Sequence, residues 1–388
     1  MAEKFHVLVI GGGSTGAALV HDLALRGLRV TLVERGELTS GTAGRHHGLL
    51  HSGGRYAVQD QESARECIEE NMILRRIAPD SFEENDGLFV AITDEDVAYR
   101  GAFVRGCAEC GIPTREFSAA QTLRMEPYLN PLVKLAVQVP DATLDCWRLP
   151  MRFFATAKHN GADIRPYTEV VDILKRDRTV IGVRVKSHVN GQVYDIGADL
   201  VVNATGVWAE KISEMAGVRV PVRPSPGVMV AVRGRWCNMV INRLAPPGDG
   251  DIVVPQRALS VIGTTEWYTD DPDRLGLPED HVQKMFEKCG EMLPVVRTAP
   301  LRAAWSAARP LIGDETVAGG RELSRTFKCY DHKERDGVEG IVTISGGKGT
   351  TMRGMAELTA NVVCQKLGVH APCRTRETVL LPYWAYYQ

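Results

Sequence analysis

The chain has 388 residues, of which 44% are hydrophobic and 24% charged, an ordinary composition for a soluble globular protein. Lysine and arginine number 46 against 48 aspartates and glutamates, so the net charge is −2, which excludes a polybasic coat for nucleic acid and an acidic tail. Local cationic clusters for a small anion stay open. No apolar run approaches the roughly 18 residues of a membrane span. Residues 7–10 run straight into glycines, unlike a signal peptide. Nine scattered cysteines form no disulfide framework, which points to a reducing cytoplasm. Cys107 and Cys110 are the only close pair, and without a second pair they read as idle thiols rather than metal ligands.

In chain order, residues 5–10 predict a strand, followed by Gly11-Gly12-Gly13-Ser14-Thr15-Gly16. Residues 17–26 predict a helix stopped by Gly27, and residues 30–33 a second strand ending at Glu34. This is one βαβ unit beginning near the N-terminus. Residues 36–55 are glycine-rich and polar, with interleaved His and Arg, too long for a simple turn and therefore read as functional. Helices are predicted at 61–77 and 98–110, with a strand within 85–93 between them. A meander follows at 170–174 and 180–185, then a buried strand over 199–206. Residues 217–304 are short strands split by Pro and Gly, which suits an antiparallel sheet in a second domain. A strand at 340–345 leads through Gly346-Gly347 to a helix at 351–367.

The spacing Gly11-x-Gly13-x-x-Gly16 has a mechanism. The first glycine makes the tight turn, the second lets backbone approach a pyrophosphate, and the third permits close helix–strand packing. The helix start offers free N–H groups to phosphate, at Ser14 and Thr15, and Glu34 is placed to hold ribose hydroxyls, with Arg35 beside it. FAD is favoured over NAD because the unit is followed by a loop, not another βα repeat. That loop, with Thr42, Arg45, His47 and Gly48, is expected to line the pyrophosphate and flavin. Later strands return at Ala204 and Gly206 and at Gly346, Gly347 and Lys348, where a helix start can face the edge of a flavin that gathers negative charge on reduction.

Together, Val9 to Gly16, His47-Gly48-Leu49-Leu50-His51-Ser52-Gly53-Gly54-Arg55-Tyr56-Ala57, Glu62-Ser63-Ala64-Arg65-Glu66-Cys67, Ile241-Asn242-Arg243, Arg309-Pro310-Leu311 and Gly346-Gly347-Lys348 resemble the FAD-dependent glycerol-3-phosphate dehydrogenases, specifically the A-type subunits of the anaerobic enzymes. The resemblance implies an α/β architecture: a glutathione-reductase-like, Rossmann-type FAD-binding domain with an interleaved D-amino-acid-oxidase-like substrate domain. The expected spans are 1–84, 141–212 and 305–388 for FAD, and 85–140 and 213–304 for substrate. It also implies oxidation of sn-glycerol 3-phosphate to dihydroxyacetone phosphate by hydride transfer to flavin N5. Electrons then pass to a quinone or to a partner protein. A phosphate dianion requires cationic partners, and Arg55, Arg309, Lys348 and Arg353 are the candidates, with Tyr56 beside them. His51 is the leading base, Lys348 its rival, and His47 an alternative or a support for the flavin. Arg309 and Lys348 complete the expected catalytic set, with no metal.

Two departures from the family pattern stand out. Ser225-Pro226-Gly227 lies where the family often has a lysine. Members also commonly continue into a cysteine-rich [2Fe–2S] domain, whereas Cys364 and Cys373 are the only late cysteines here. The aromatic residues 383–388 suit either docking to a partner or bilayer, or packing on their own domain. The expected location is cytoplasmic, peripheral on the inner membrane face at most. The rival readings are a related oxidase or dehydrogenase of a 2-hydroxy acid or amino acid, and a flavin-carrying electron-transfer protein without activity.

Overall fold

The computed structural model describes residues 4–313 and 326–388. Five parallel strands and one antiparallel edge strand form a six-stranded sheet, in the order Phe327–Asp331, Ile341–Gly346, Leu200–Asn203, His6–Ile10, Arg29–Val33, Asp163–Arg165. All residues of His6–Ile10 are buried, as the continuous apolar run of a doubly covered parallel strand requires. The helices Ser14–Leu25, Arg148–His159 and Met352–Leu367 cover one face, with Leu19, Leu23, Phe153, Phe154 and Val363 in a shared core. The meander Thr168–Arg176, Thr179–Ser187 and Val193–Gly197 covers the other. His6–Ile10 pairs on one side with Arg29–Val33, the next strand in the chain, and on the other with Leu200–Asn203, which arrives much later, so a crevice opens at the carboxyl ends of these strands.

An eight-stranded sheet forms the second layer, in the order Leu301–Ile312, Val222–Arg233, Leu259–Gly263, Ile252–Gln256, Val240–Arg243, Gly87–Ala91, Leu135–Val139, Arg115–Ser118. The helix Glu279–Met292 packs against its apolar face through Met285, Cys289 and Met292. Leu301–Ile312 pairs along its length with Val222–Arg233, so the break expected at 305 falls inside a strand of this sheet. Residues 314–325 of the expected 305–388 span lie outside the described residues.

The helix Gln61–Ile77 begins where Asp60 accepts the Ser63 N–H at 3.1 Å, an N-cap worth about 1 kcal/mol, and carries Arg75 and Arg76 in its last turn. The helix Asp94–Glu109 starts earlier than the sequence pattern suggests, because Thr93 and Asp96 form a reciprocal capping box. Cys107 and Cys110 are buried free thiols at the end of that helix, and burial pushes Cys107 up to about 12. Among the described residues no group of three or more His, Cys, Asp or Glu side chains is arranged to hold a metal. No helix among them is long and apolar enough to cross a membrane. The aromatic segment Tyr383–Tyr387 lies on the helix Arg148–His159. Lys158 Nζ donates to the Tyr386 carbonyl at 2.7 Å, and Tyr383 stands edge-on to Trp147 at 5.5 Å, while Trp384 and Tyr387 stay exposed.

Candidate active site

A cleft of about 930 Å³ runs from the carboxyl ends of the parallel strands to the inner face of the eight-stranded sheet. Its first half is made of backbone. Gly11 has φ of +108°, and a Cβ there would meet the Ala204 carbonyl at 2.7 Å. A Cβ on Gly16 would strike the Gly11 carbonyl at 1.9 Å, so Gly16 acts from behind the cleft wall, by letting helix meet strand. Gly13 caps the helix Ser14–Leu25, and Gly13, Ser14 and Thr15 line the cleft. The Glu34 carboxylate accepts from Gly12 N at 2.7 Å and Gly36 N at 2.8 Å, which pins it at the end of the second strand. Ala204 and Gly206 form the opposite wall. Arg35 stands over the Trp208 ring at 4.4 Å and pairs with Asp273 at 2.6 Å, all three lining the cleft. Backbone that only glycine permits, a helix N-terminus and a fixed carboxylate fit the pyrophosphate and ribose of FAD.

The second half is made of side chains from distant segments. Thr42, Arg45, His46 and His47 come from the loop after Glu34, and Thr42 Oγ1 ties that loop to the Ala308 carbonyl at 2.7 Å. His47 presents a buried Nδ1 without a hydrogen-bond partner. Gly48 does not line the cleft. It holds φ of +81° where a Cβ would strike Gln256, so its role is to turn the chain. His51 is fixed by its backbone, with its N–H on Thr350 Oγ1 at 3.0 Å and its carbonyl accepting from Asn71 at 3.1 Å. Its ring lies 6.0 Å from His47 and 5.5 Å from Tyr56.

Arg309 reaches the cleft from the strand Leu301–Ile312. Its guanidinium is held by the Ser225 and Thr265 carbonyls, each at 3.3 Å, and by the Thr264 hydroxyl. A Cβ on Gly227 would lie 2.9 Å from the same guanidinium, so in Ser225-Pro226-Gly227 the glycine makes room for arginine. Gly346 and Gly347, with φ of 89° and 70°, turn the chain so that Lys348 lines the cleft, its ammonium 4.9 Å from the Tyr56 ring centre. Arg55 also lines the cleft but is tied to Asp251 at 2.8 Å and the Gly248 carbonyl at 3.1 Å, which closes the 248–251 loop.

Arg353 is the clear correction. It is 0% exposed, paired with Glu70 and Glu357 and donating to Thr375, and it does not line the cleft. The helix Met352–Leu367 turns this residue inward, so it locks helices together and meets no substrate.

The electrostatics follow from crowding of cations with little water. Burial, then His47, Lys348 and Arg55, hold His51 well below the usual imidazole range. Burial, with His46, Arg309 and Arg55, takes His47 down to about 3, and burial takes His46 to about 4. All three rings are neutral at pH 7. His46, in the loop expected to line the flavin but not singled out there, is also a cleft residue, and a His-His pair offers no local signal for choosing both. Its Nδ1 accepts the Gly48 N–H at 3.0 Å, so the neutral ring carries its proton on Nε2. Trp208, Lys211, Asp273 and residues Thr168, Glu169 and Val170 also line the cleft without a sequence signal, since they enter from remote segments. His46 and His47 also wall a smaller cleft of about 540 Å³, which includes Trp147, Trp305 and Tyr383.

Residues 6–362 match the family of FAD dependent oxidoreductases. The A1-type subunit of the anaerobic glycerol-3-phosphate dehydrogenase of Haloferax volcanii is 46% identical, over 98% of this chain and 67% of its own length. The A-type subunit of the Escherichia coli K12 enzyme is 42% identical, over 98% of this chain and 70% of its own. The Bacillus halodurans glycerol-3-phosphate dehydrogenase, solved in complex with FAD, shares the fold with a TM-score of 0.74 at 24% identity, over 98% of this chain and 68% of that one. The family match and the extent of these identities agree with the cleft: the chain belongs to the FAD-dependent oxidoreductases, in the group formed by the A-type subunits of anaerobic glycerol-3-phosphate dehydrogenases.

Proposed function

We propose that this chain oxidises sn-glycerol 3-phosphate to dihydroxyacetone phosphate. The observation that carries the reading is the meeting of His51, Arg309 and Lys348, from three remote segments, in the same cleft as the glycine turn. Arg309 and Lys348 bind the phosphate dianion, Arg309 from a guanidinium already aimed by three oxygen contacts. Arg55 and Tyr56 shape the wall between them. Bound FAD supplies the two-electron acceptor for the hydride on the carbinol carbon. His51 takes the hydroxyl proton on its ring nitrogen. Burial, with the nearby cations, keeps His51 neutral in the free protein; an arriving dianion offsets those cations, so the ring becomes more basic when the proton must be moved.

A carboxylate substrate would use Arg309 equally well, but the second cation at Lys348 favours a dianion. The relatives are named as subunits of anaerobic enzymes, which supports onward transfer of the electrons to a partner protein; a quinone as acceptor and a peripheral place on the membrane belong to the same proposal. The aromatic-walled cleft behind His46 and His47 is a suitable place for that exit. The test is product identification. The FAD-loaded protein is turned over with sn-glycerol 3-phosphate and an artificial electron dye, and dihydroxyacetone phosphate is assayed. Dye reduction without that product contradicts the reading.

A further inference from the structure

One carboxyl beside the cleft is left over by this account. Glu66, on the helix Gln61–Ile77, lies behind Lys348 and outside the cleft lining. Its Oε2 is buried, makes no hydrogen bond, and stands 3.9 Å from Lys348 Nζ. The two side chains, Lys348 and Glu66, are only 8% and 21% exposed, so water screens them weakly. Glu66 is thus one neighbour of the ammonium and the Tyr56 ring, at 4.9 Å, another. Such an ammonium cannot give its full charge both to a carboxylate and to a ligand dianion.

We propose that Glu66 is the positioning residue of Lys348, and that it releases the ammonium's charge to an anion in the cleft by taking up a proton when the anion arrives. This rests on the reading of Lys348 as an anion contact. The step balances simply: at most one proton moves from solvent to Glu66 for each anion bound, the share of Glu66 that is ionised before binding, and no covalent bond changes.

The surroundings are consistent with that exchange. Burial raises Glu66 to about 7, opposed by Lys348 and reinforced by Glu62, Asp60 and Glu70, so the carboxyl titrates around neutrality. Neighbouring Cys67 is pushed up to about 11 by burial and stays a thiol. Asp141, raised by burial to about 6, titrates at the lower edge of the window. In the free protein His46, His47 and His51 are neutral throughout it, and any proton His51 gains when the anion binds persists in Glu66→Gln, so the loss seen in that variant belongs to Glu66.

The sign is fixed by this arrangement. Ionised Glu66 competes for Lys348, so anion binding weakens as pH rises through neutrality. Sulfate is the probe, since its own charge does not change over this range. Calorimetric titration of the FAD-loaded protein with sulfate, from about pH 6 to about pH 8.5, should show wild-type affinity falling by up to about tenfold, the equivalent of a one-unit pKa change in one linked group. Titration in buffers of different ionisation enthalpy should show proton uptake near pH 7. Glu66→Gln should lose that uptake, keep its affinity across the range apart from any contribution of Asp141 near pH 6, and bind sulfate more tightly than wild type at the alkaline end. Glu66→Asp should retain the dependence.

A flat wild-type profile, or Glu66→Gln binding more weakly at every pH, overturns the proposal, the second result meaning that Glu66 is only structural. No turnover is involved, so failure to oxidise glycerol 3-phosphate would leave this measurement standing, and the two readings fail separately.

Discussion

The two halves of the cleft are built by different means. The dinucleotide half is backbone: Gly11 and Gly16 leave no room for a Cβ, and the Glu34 carboxylate is pinned by two N–H groups. The substrate half is side chains: His51, Arg309 and Lys348 are delivered by separate segments and aimed by contacts with others. A backbone site fails all at once when a single atom is added. A side-chain site should fail one function at a time, and binding, proton transfer and stability should be separable.

The most far-reaching effect is expected in the first half, because loss of the flavin removes every redox function at once. Gly11→Val places atoms against the Ala204 carbonyl from a φ of +108°. Flavin content per protein should fall at least about tenfold, which needs only about 1.4 kcal/mol. If the variant keeps its flavin, the backbone account of that half is broken.

In the second half, His51→Gln should retain FAD but slow anaerobic flavin reduction by about 10²–10⁴-fold, the range of a lost general base. Near-normal reduction would transfer the role to Lys348. The two arginines sharpen the contrast further. Arg309→Leu should raise the glycerol 3-phosphate concentration needed for half-maximal reduction by about 10²-fold, from the loss of a charge-assisted contact worth about 2–5 kcal/mol. Arg353→Leu should leave that concentration unchanged but cost about 3–5 kcal/mol in denaturant unfolding, because buried Glu70 loses its ion-pair partner while Glu357 keeps Arg376. The reverse pattern would mean that the roles of the two arginines are exchanged.

The smallest effect lies in the core under the dinucleotide half. His21 is 0% exposed, with both ring nitrogens unpartnered, and burial lowers it to about 4. The unfolded chain protonates this ring below about 6.5 while the folded one does not, so its contribution is present above that pH and is lost as pH falls toward 4. His21→Met should flatten this part of the acid unfolding profile, measured by chemical denaturation from about pH 7 to about pH 4. An unchanged slope would show that His21 takes no part in it.

The same contrast explains what was legible in the sequence. The glycine turn is local, each glycine doing its work within one βαβ unit, and the helix Gln61–Ile77 carries its own cap at Asp60. Arg309 and Arg353 look alike as flanked basic residues. What separates them is Glu70, 283 positions from Arg353, which no local pattern reveals. Arg55 is diverted in the same way by Asp251. His46 lies within the loop expected to line the flavin but is not singled out by the sequence, because nothing local distinguishes it from its neighbour His47; both line the cleft. The sheet boundary near 305 is obscured because Leu301–Ile312 runs without a break from the exposed end of one layer to the cleft.

The central claim is that the side-chain half recognises a phosphorylated polyol. Rapid anaerobic mixing of the FAD-loaded protein with sn-glycerol 3-phosphate, glycerol, sarcosine and 2-hydroxyglutarate tests it most directly, read as bleaching of the flavin absorbance. Fast, saturable bleaching by sn-glycerol 3-phosphate, with glycerol slower by orders of magnitude and the other two inert, is the predicted result. Bleaching by sarcosine or 2-hydroxyglutarate but not by the phosphate would contradict it.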